Sequence, residues 1–303
     1  MFLAELLASS LRMAVPILLT ALGAVFTERA GVVNIGLEGM MIAGSFMGAL
    51  GSYYYGPYFG LLLAMIAGLF MALIHAVNTV TFRVDQIVSG VAINILAYGG
   101  CRFLSLAIFK MATTSPRVSG LPKIDIPGLN IGFLKPLVSG VSPVIILALL
   151  LVPVSSFIIN RTVFGLRLRS VGENPLAADT LGIDVFKMKY AGVLISGALA
   201  GLSGAYLALE HTGMYVEGMT QGKGFIALAA MIFGNWEPVG ALWASLLFGF
   251  SEALSFRVVE GGAIPYQFIK MIPYVLTLAV LTGVVKKSTA PAADGVPYER
   301  GLK

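Results

Sequence analysis

Nine stretches of this chain are apolar over about the length that a helix needs to cross a bilayer, roughly 20 residues, and little sequence is left over for anything else. They run near Phe2 to Val25, Val32 to Gly51, Tyr58 to Val80, Gln86 to Ile108, Val141 to Asn160, Tyr190 to Leu209, Gln221 to Gly234, Val239 to Phe256 and Ile264 to Val285. The seventh is short and flanked by glycine. A broken or partly re-entrant helix is expected there, tolerable only where protein or a cavity covers the freed backbone groups. Composition removes the soluble alternative. With 57% hydrophobic residues, 12% charged residues and a mean hydropathy of +0.89, a chain of 303 residues has more apolar surface than any core it could build. The expected fold is an all-α membrane protein of about nine to ten transmembrane helices, with one polytopic domain over residues 1–287. The tail, 288–303, is rich in Ala, Pro and Gly and is expected to be disordered.

The stretch Arg161 to Lys189, RTVFGLRLRSVGENPLAADTLGIDVFKMK, is the long charge-rich segment between two such runs. It contains a small, well-punctuated helix. Asn174 suits the N-cap, Pro175 the first helical position, and Gly182 the left-handed residue past the end. Pro175 to Leu181 is then a helix of about two turns, too short to persist alone in water, so it needs a surface to lie against.

Lys and Arg set the expected orientation. With residues 161–189 inside, Arg29, Arg83, Lys286, Lys287, Arg300 and Lys303 also fall inside. The outside receives Lys110, Arg117, Lys123, Lys135, Lys223, Arg257 and Lys270, giving eleven against seven with Arg12 and Arg102 within spans. This bias puts the N-terminus out and the C-terminus in. The tyrosines of GSYYYGP, residues 51–57, then sit as an outer aromatic belt, and the loop 109–140 is irregular. The segment around Met1 lacks a signal peptide's basic start and cleavage pattern, so the N-terminus is expected to be retained. The net charge of +5 fits basic inner loops and not nucleic acid, since no dense basic run with interleaved aromatics is present.

An internal likeness supports this map. The segment from Glu38, EGMMIAGSFMGALGSYYYGPYFGLLLAMIAGLF, resembles that from Lys223, KGFIALAAMIFGNWEPVGALWASLLFGF, with Pro57 and Gly60 matching Pro238 and Gly240. The copies sit an odd number of spans apart and must run in opposite directions. Two inverted repeats of this kind are the mark of transporters whose solute route lies between the halves.

Four motifs carry a family resemblance: TERAGVVNIGLEGMMIAG from Thr27, VGENPLAADTLGIDVFKMK from Val171, SGALAGLSGA from Ser196 and GKGFIALAAMIFGNWEPVGAL from Gly222. They resemble the permease subunits of ABC importers of the ribose, branched-chain amino acid and nucleoside type, over nearly the whole chain. The wording is most like the shorter permease of bacterial nucleoside importers served by a lipoprotein of the basic-membrane-protein type. The resemblance implies a multi-pass permease of the bacterial cytoplasmic membrane that imports a small solute, with nucleosides first and riboflavin, simple sugars or branched-chain amino acids as alternatives. It implies a cytoplasmic ABC ATPase, a second, longer permease subunit and an extracellular or periplasmic substrate-binding lipoprotein as partners. This chain would bind no cofactor, and ATP would be used by the partner. It also implies that the segment matched by Gly172, Glu173, Asn174, Pro175, Ala177, Ala178, Leu181 and Gly182 is the coupling helix docked in a groove of the ATPase. Small Ala177 and Ala178 would allow close approach, Leu181 would be the apolar knob, and Glu173 would pair with a basic group.

Polar residues in apolar runs are candidates for the pathway. Glu38, one turn from Asn34, is an intramembrane carboxylate and so either a pathway group or a structural pair near the inner interface. Asn94 either faces the route or bonds another helix. Asn34, Glu38 and Asn94 are the pathway candidates. Lys223 and Gln221 lie at the outer mouth or, for Lys223, snorkel to the interface, and Glu252 has the same two readings. Gly197 and Gly201 make a small-xxx-small packing face. His75 and His211 lack ligand-spaced partners and Cys101 is the single cysteine, so no metal site is expected. Enzymes are disfavoured: GxSxG and HExxH are absent, and GMTQGKG fails the phosphate-loop spacing. A secondary transporter driven by an ion gradient, or a membrane scaffold, are the alternatives from other classes, and neither accounts for the punctuated helix at Pro175.

Overall fold

A computed structural model describes residues 2–124, 139–260, 271 and 289–299. Ten α-helices account for most of them: α1 (Phe2–Arg29), α2 (Leu37–Tyr55), α3 (Pro57–Ala76), α4 (Gln86–Phe109), α5 (Pro143–Arg161), α6 (Val163–Glu173), α7 (Pro175–Thr180), α8 (Val185–Tyr206), α9 (Lys223–Phe233) and α10 (Pro238–Glu260). Wider π-helical turns extend α3 over Val77–Thr81 and α8 over Leu207–Thr212. Among the described residues there is no strand, only isolated bridges at Thr114–Val216 and Ile124–Val141.

Six of these helices, α1, α3, α4, α5, α8 and α10, are long and apolar enough to cross a membrane. The expected second span corresponds to α2, which is rich in Gly, Ser and Met and buried along most of its length. Enclosed by protein, it has no need of a lipid-facing apolar surface. The expected seventh is α9, whose 11 residues rise only about 16 Å, roughly half a bilayer core. The ninth, Ile264 to Val285, lies outside the described residues but for Met271.

Local sequence explains where the helices start. Asp85 accepts from the amide of Val88 at 2.9 Å, Thr162 from Gly165 at 3.2 Å, Asn174 from Ala177 at 3.0 Å and Asp184 from Lys187 at 3.1 Å. Each carries an orphan amide of a first turn. Inside α1, Pro16 has no amide to donate, so the Arg12 carbonyl loses its helical partner. The Tyr206 hydroxyl donates to that carbonyl at 3.3 Å, and Ser203, on the same face of α8, donates to the Pro16 carbonyl at 2.7 Å. A second helix thus supplies what lipid could not.

The central helix is α8, in contact with α1, α2 and α3. A methyl group added at Gly197 or Gly201 would overlap the backbone of α3 at Gly68 or Ala64, and one at Gly204 would overlap α2 at Met41. The glycine face read from the sequence is therefore a close-packing seam, the arrangement expected where lipid offers no hydrophobic drive for association.

Arg29, Arg83 and α6–α7 gather at one end of the bundle, with residues 289–299 laid across them. The disorder expected of the tail does not describe 289–299. The amide of Ala293 donates to the Gly172 carbonyl at 2.9 Å, Thr289 donates to Asn235 Oδ1 at 3.0 Å, and Glu299 pairs with Arg83 at 2.7 Å. Composition pointed the other way because one residue does much of the anchoring: Tyr298 is buried with Val171, Ala178 and Val185, its ring 5.6 Å from that of Phe186.

Candidate functional site

Two chain segments enter the bundle as non-helical backbone and meet inside it. One is the stretch 30–36 that leads into α2, and the other is 213–222, which leads into α9. Glu38, on the first turn of α2, is 2% exposed, and its carboxylate lies at the start of α9. Oε1 accepts from Thr220 Oγ1 at 2.6 Å and from the Gly222 amide at 2.9 Å, while Oε2 accepts from the Gly224 amide at 2.7 Å. A carboxylate at a helix N-terminus is favoured by the orphan amides and by the dipole. Here the donor helix and the acceptor belong to different segments. A methyl group on Gly224 would press on the backbone of Glu38 at 2.5 Å. Glycine at 224 is what lets the two helix starts come this close.

The other two pathway candidates converge on the same joint. Asn94 of α4 accepts from the Gly39 amide at 2.7 Å and donates to the Ile35 carbonyl at 3.2 Å, so it ties α4 to the broken entry of α2. Asn34 is fully buried and donates to Ser196 of α8 at 2.9 Å. Asn34, Glu38 and Asn94 thus stand around one crossing point, each engaged with backbone or a hydroxyl of a neighbouring element. Sequence reasoning missed their partners, Thr220, Gly222, Gly224 and Ser196. The glycine pair flanking Lys223 was the available signal.

Lys223 and Glu252 each have two readings from the sequence. They form an ion pair at 2.7 Å, with side chains 7% and 20% exposed, so Lys223 does not snorkel. His75 is bound between Ser89 at 3.0 Å and the Val33 carbonyl at 3.2 Å, and His211 packs edge-on against Tyr206.

At the other end of α9 the chain turns through Trp236. Its indole N–H donates to Glu28 at 2.6 Å, and Arg29 pairs with Glu237 at 2.8 Å, fixing the α9–α10 turn to the end of α1. Gly172, the second-last residue of α6, lies against the same stretch: a methyl group there would overlap the Arg29 backbone. The short helix expected after Asn174 is α7. Pro175 holds its first position, Asn174 caps it, and Gly182 adopts a φ of +78°. Leu181 is 80% exposed and Leu176 49% exposed, two apolar side chains held out together. The two alanines divide. Ala177 is exposed, but Ala178 is 2% exposed and packs inward, so it offers nothing to a partner. Glu173 accepts from the Ala292 amide at 3.3 Å, a bond within the chain.

Two irregular helix entries joined inside a bundle with six helices long and apolar enough to cross a membrane make this a multi-pass membrane protein. The chain belongs to the branched-chain amino acid transport system / permease component family, whose description matches residues 6–281. It is a transport component and not an enzyme. It is 47% identical to the guanosine ABC transporter permease protein NupQ of Bacillus subtilis (strain 168), covering 96% of this chain and 95% of that one. It is 40% identical to the nucleoside ABC transporter permease protein NupC of Lactococcus lactis, over 97% and 96% of the two chains. A putative glucose ABC transporter permease protein of Haloferax volcanii, TsgC13, is 34% identical over 94% and 92%.

Proposed function

We propose that this chain is the nucleoside-conducting permease subunit of an ATP-driven importer in a bacterial cytoplasmic membrane. The observation that carries the coupling part is α7 with Leu181: a capped two-turn helix that exposes two leucines which none of the described residues covers. A cytoplasmic ABC ATPase is the partner, with Leu176, Ala177 and Leu181 in its groove. A second, different permease and a substrate-binding lipoprotein complete the complex. The chain binds no cofactor itself, and ATP is consumed by the partner. The nucleoside reading rests on the names of the two relatives at 47% and 40% identity.

The likeness between the two segments from Glu38 and Lys223 extends to their surroundings. In both, a long helix (α1, α8) is followed by an irregular entry, a shorter helix (α2, α9), a tight turn and a helix that begins with proline (α3, α10). That order supports inverted repeats and about nine spans, counting α2, the half-span α9 and the stretch near Ile264. The gathering of basic residues at the α7 end supports that end as cytoplasmic, with the N-terminus outside.

Reconstitution of the four-component complex in proteoliposomes tests the reading. Uptake of radiolabelled guanosine should require ATP and the receptor and should survive dissipation of ion gradients. Uptake that persists without ATP and collapses with an ion gradient makes the chain a secondary transporter instead.

A further inference from the structure

The membrane-length helix α4 is the least enclosed of the described spans, with 28% of its apolar window buried. One face of it is open along its length. Val91, Ile95, Tyr98 and Arg102 follow one another at helical spacing, with Ile95 68% exposed, Tyr98 38% exposed and the Arg102 side chain 61% exposed. Apolar neighbours alone would suit lipid. An arginine does not: a charge within a span is held where water, a partner or a counter-charge meets it. Its counter-charge is Glu217 in the entry loop of α9, 3.5 Å away, and Glu217 also lines a cavity of about 320 Å³ together with Gln221, Lys223 and Glu252.

Tyr98 connects this face to the joint. Its ring lies close to Thr220, whose hydroxyl donates to Glu38, the carboxylate that holds the start of α9. Thr220 and Glu38 thus stand between an open aromatic ring and the broken helix, and α9 runs on to the Glu28–Arg29 corner beside α6. Tyrosine offers a flat face for a heteroaromatic ring, and Arg102, Glu217 and Gln221 offer donors and acceptors for hydroxyl groups beside it.

We infer that the Tyr98–Arg102 face of α4 is the wall of the solute route, with the nucleobase of a passing nucleoside stacked on Tyr98 and its ribose hydroxyls at Arg102 and Glu217. The inference rests on the proposed function for its solute, but not for its geometry. Other occupants of this face, a lipid chain or the second permease packed tightly on it, give different results below.

The complex carrying Cys101→Ser is the background, and Arg102→Cys and Ile95→Cys are each introduced into it, with Leu150→Cys of α5, 56% exposed, as the comparison. A charged, membrane-impermeant methanethiosulfonate should modify positions 102 and 95 at least about tenfold faster than position 150, and saturating guanosine should slow that reaction. Separately, Tyr98→Phe should keep guanosine affinity within about twofold, while Tyr98→Ala raises the KM of uptake at least about fivefold, the loss of one stacking contact. Equal, slow modification at 102, 95 and 150 in a complex that carries guanosine overturns the inference and assigns the face to lipid or to the partner permease. A complex that carries glucose and not guanosine overturns the nucleoside reading and the stacking contact with it, while fast modification slowed by glucose keeps the face as the wall of the route.

Discussion

The Glu38 carboxylate of α2 accepts the amide of Gly224 of α9 at 2.7 Å, so the first turns of two broken helices are joined by a single side chain. Three donors converge on it: the Thr220 hydroxyl and the amides of Gly222 and Gly224. Glu38→Gln replaces one acceptor oxygen by an NH2 that faces an amide N–H. All three bonds lose the negative charge, at least one is broken, and its donor is left facing the new NH2, at about 1–3 kcal/mol for each buried donor left unpaired. The expected outcome is a clear drop in the thermal midpoint of the purified complex, with transport lost in proportion to the unfolded fraction. Glu38→Gln with unchanged stability and lost transport would instead make Glu38 a group that meets the solute.

The two alanines of α7 predict different failures. Arginine at 177 is placed on the exposed face, and on the proposed docking it meets the ATPase groove, where steric overlap and desolvation cost about a few kcal/mol or more. Ala177→Arg should accumulate normally, keep residues 289–299 protected from protease, and co-purify without its ATPase. Arginine at 178 cannot enter the cluster of Val171, Val185 and Tyr298. Ala178→Arg should release the tail to protease as well. Co-purification at wild-type level for Ala177→Arg would reduce α7 to a solvated loop.

The six long apolar helices were legible because each is a run of apolar residues whose length is set by the bilayer, and α7 was legible because its cap, proline and stop are local. The glycine face of α8 could be read for the same reason. The role of Glu38 could not: its three partners lie more than 180 residues away, and a carboxylate in an apolar run has the same sequence signature whether it greets a solute or ties two helices. Composition also misjudged the tail, since a single tyrosine at 298 outweighs the Ala, Pro and Gly around it. Ala178 was assigned outward because a two-turn helix does not declare which side is covered.

The seam along α8 is a steric claim. Gly201→Leu would force a side chain into the backbone of α3, and repacking cannot relieve a backbone overlap as it can a side-chain one. The chain should fail to accumulate in the membrane. Gly100→Ala on α4, where nothing lies within 4 Å of an added methyl group, should accumulate at the wild-type level. Immunoblots of membrane fractions compare the two, and equal amounts would place the α3–α8 contact elsewhere.

The seated tail carries a titratable group of its own. Burial pushes the Asp294 carboxyl from its ordinary 3.8 up to about 6, against the pull of the neighbouring Glu28 carboxyl, with which it titrates as a pair, and of the Lys189 ammonium. The docked state therefore disfavours the ionised form. Its stability is fully present below about 3.8, falls as pH rises from there to about 6, and carries the whole loss at pH 7. Asp294→Asn keeps the shape and removes the charge, so it should dock residues 289–299 more firmly at neutral pH and change little near pH 4. Hydrogen exchange of the Ala293 amide, which is bound to the Gly172 carbonyl, reads this directly. In the purified complex at pH 7, exchange should be slower in Asp294→Asn than in the wild type, the difference closing as pH falls once intrinsic rates are corrected. Faster exchange in the variant at pH 7 would mean that the ionised carboxylate beside Lys189 holds the tail down, the reverse of the effect argued from burial.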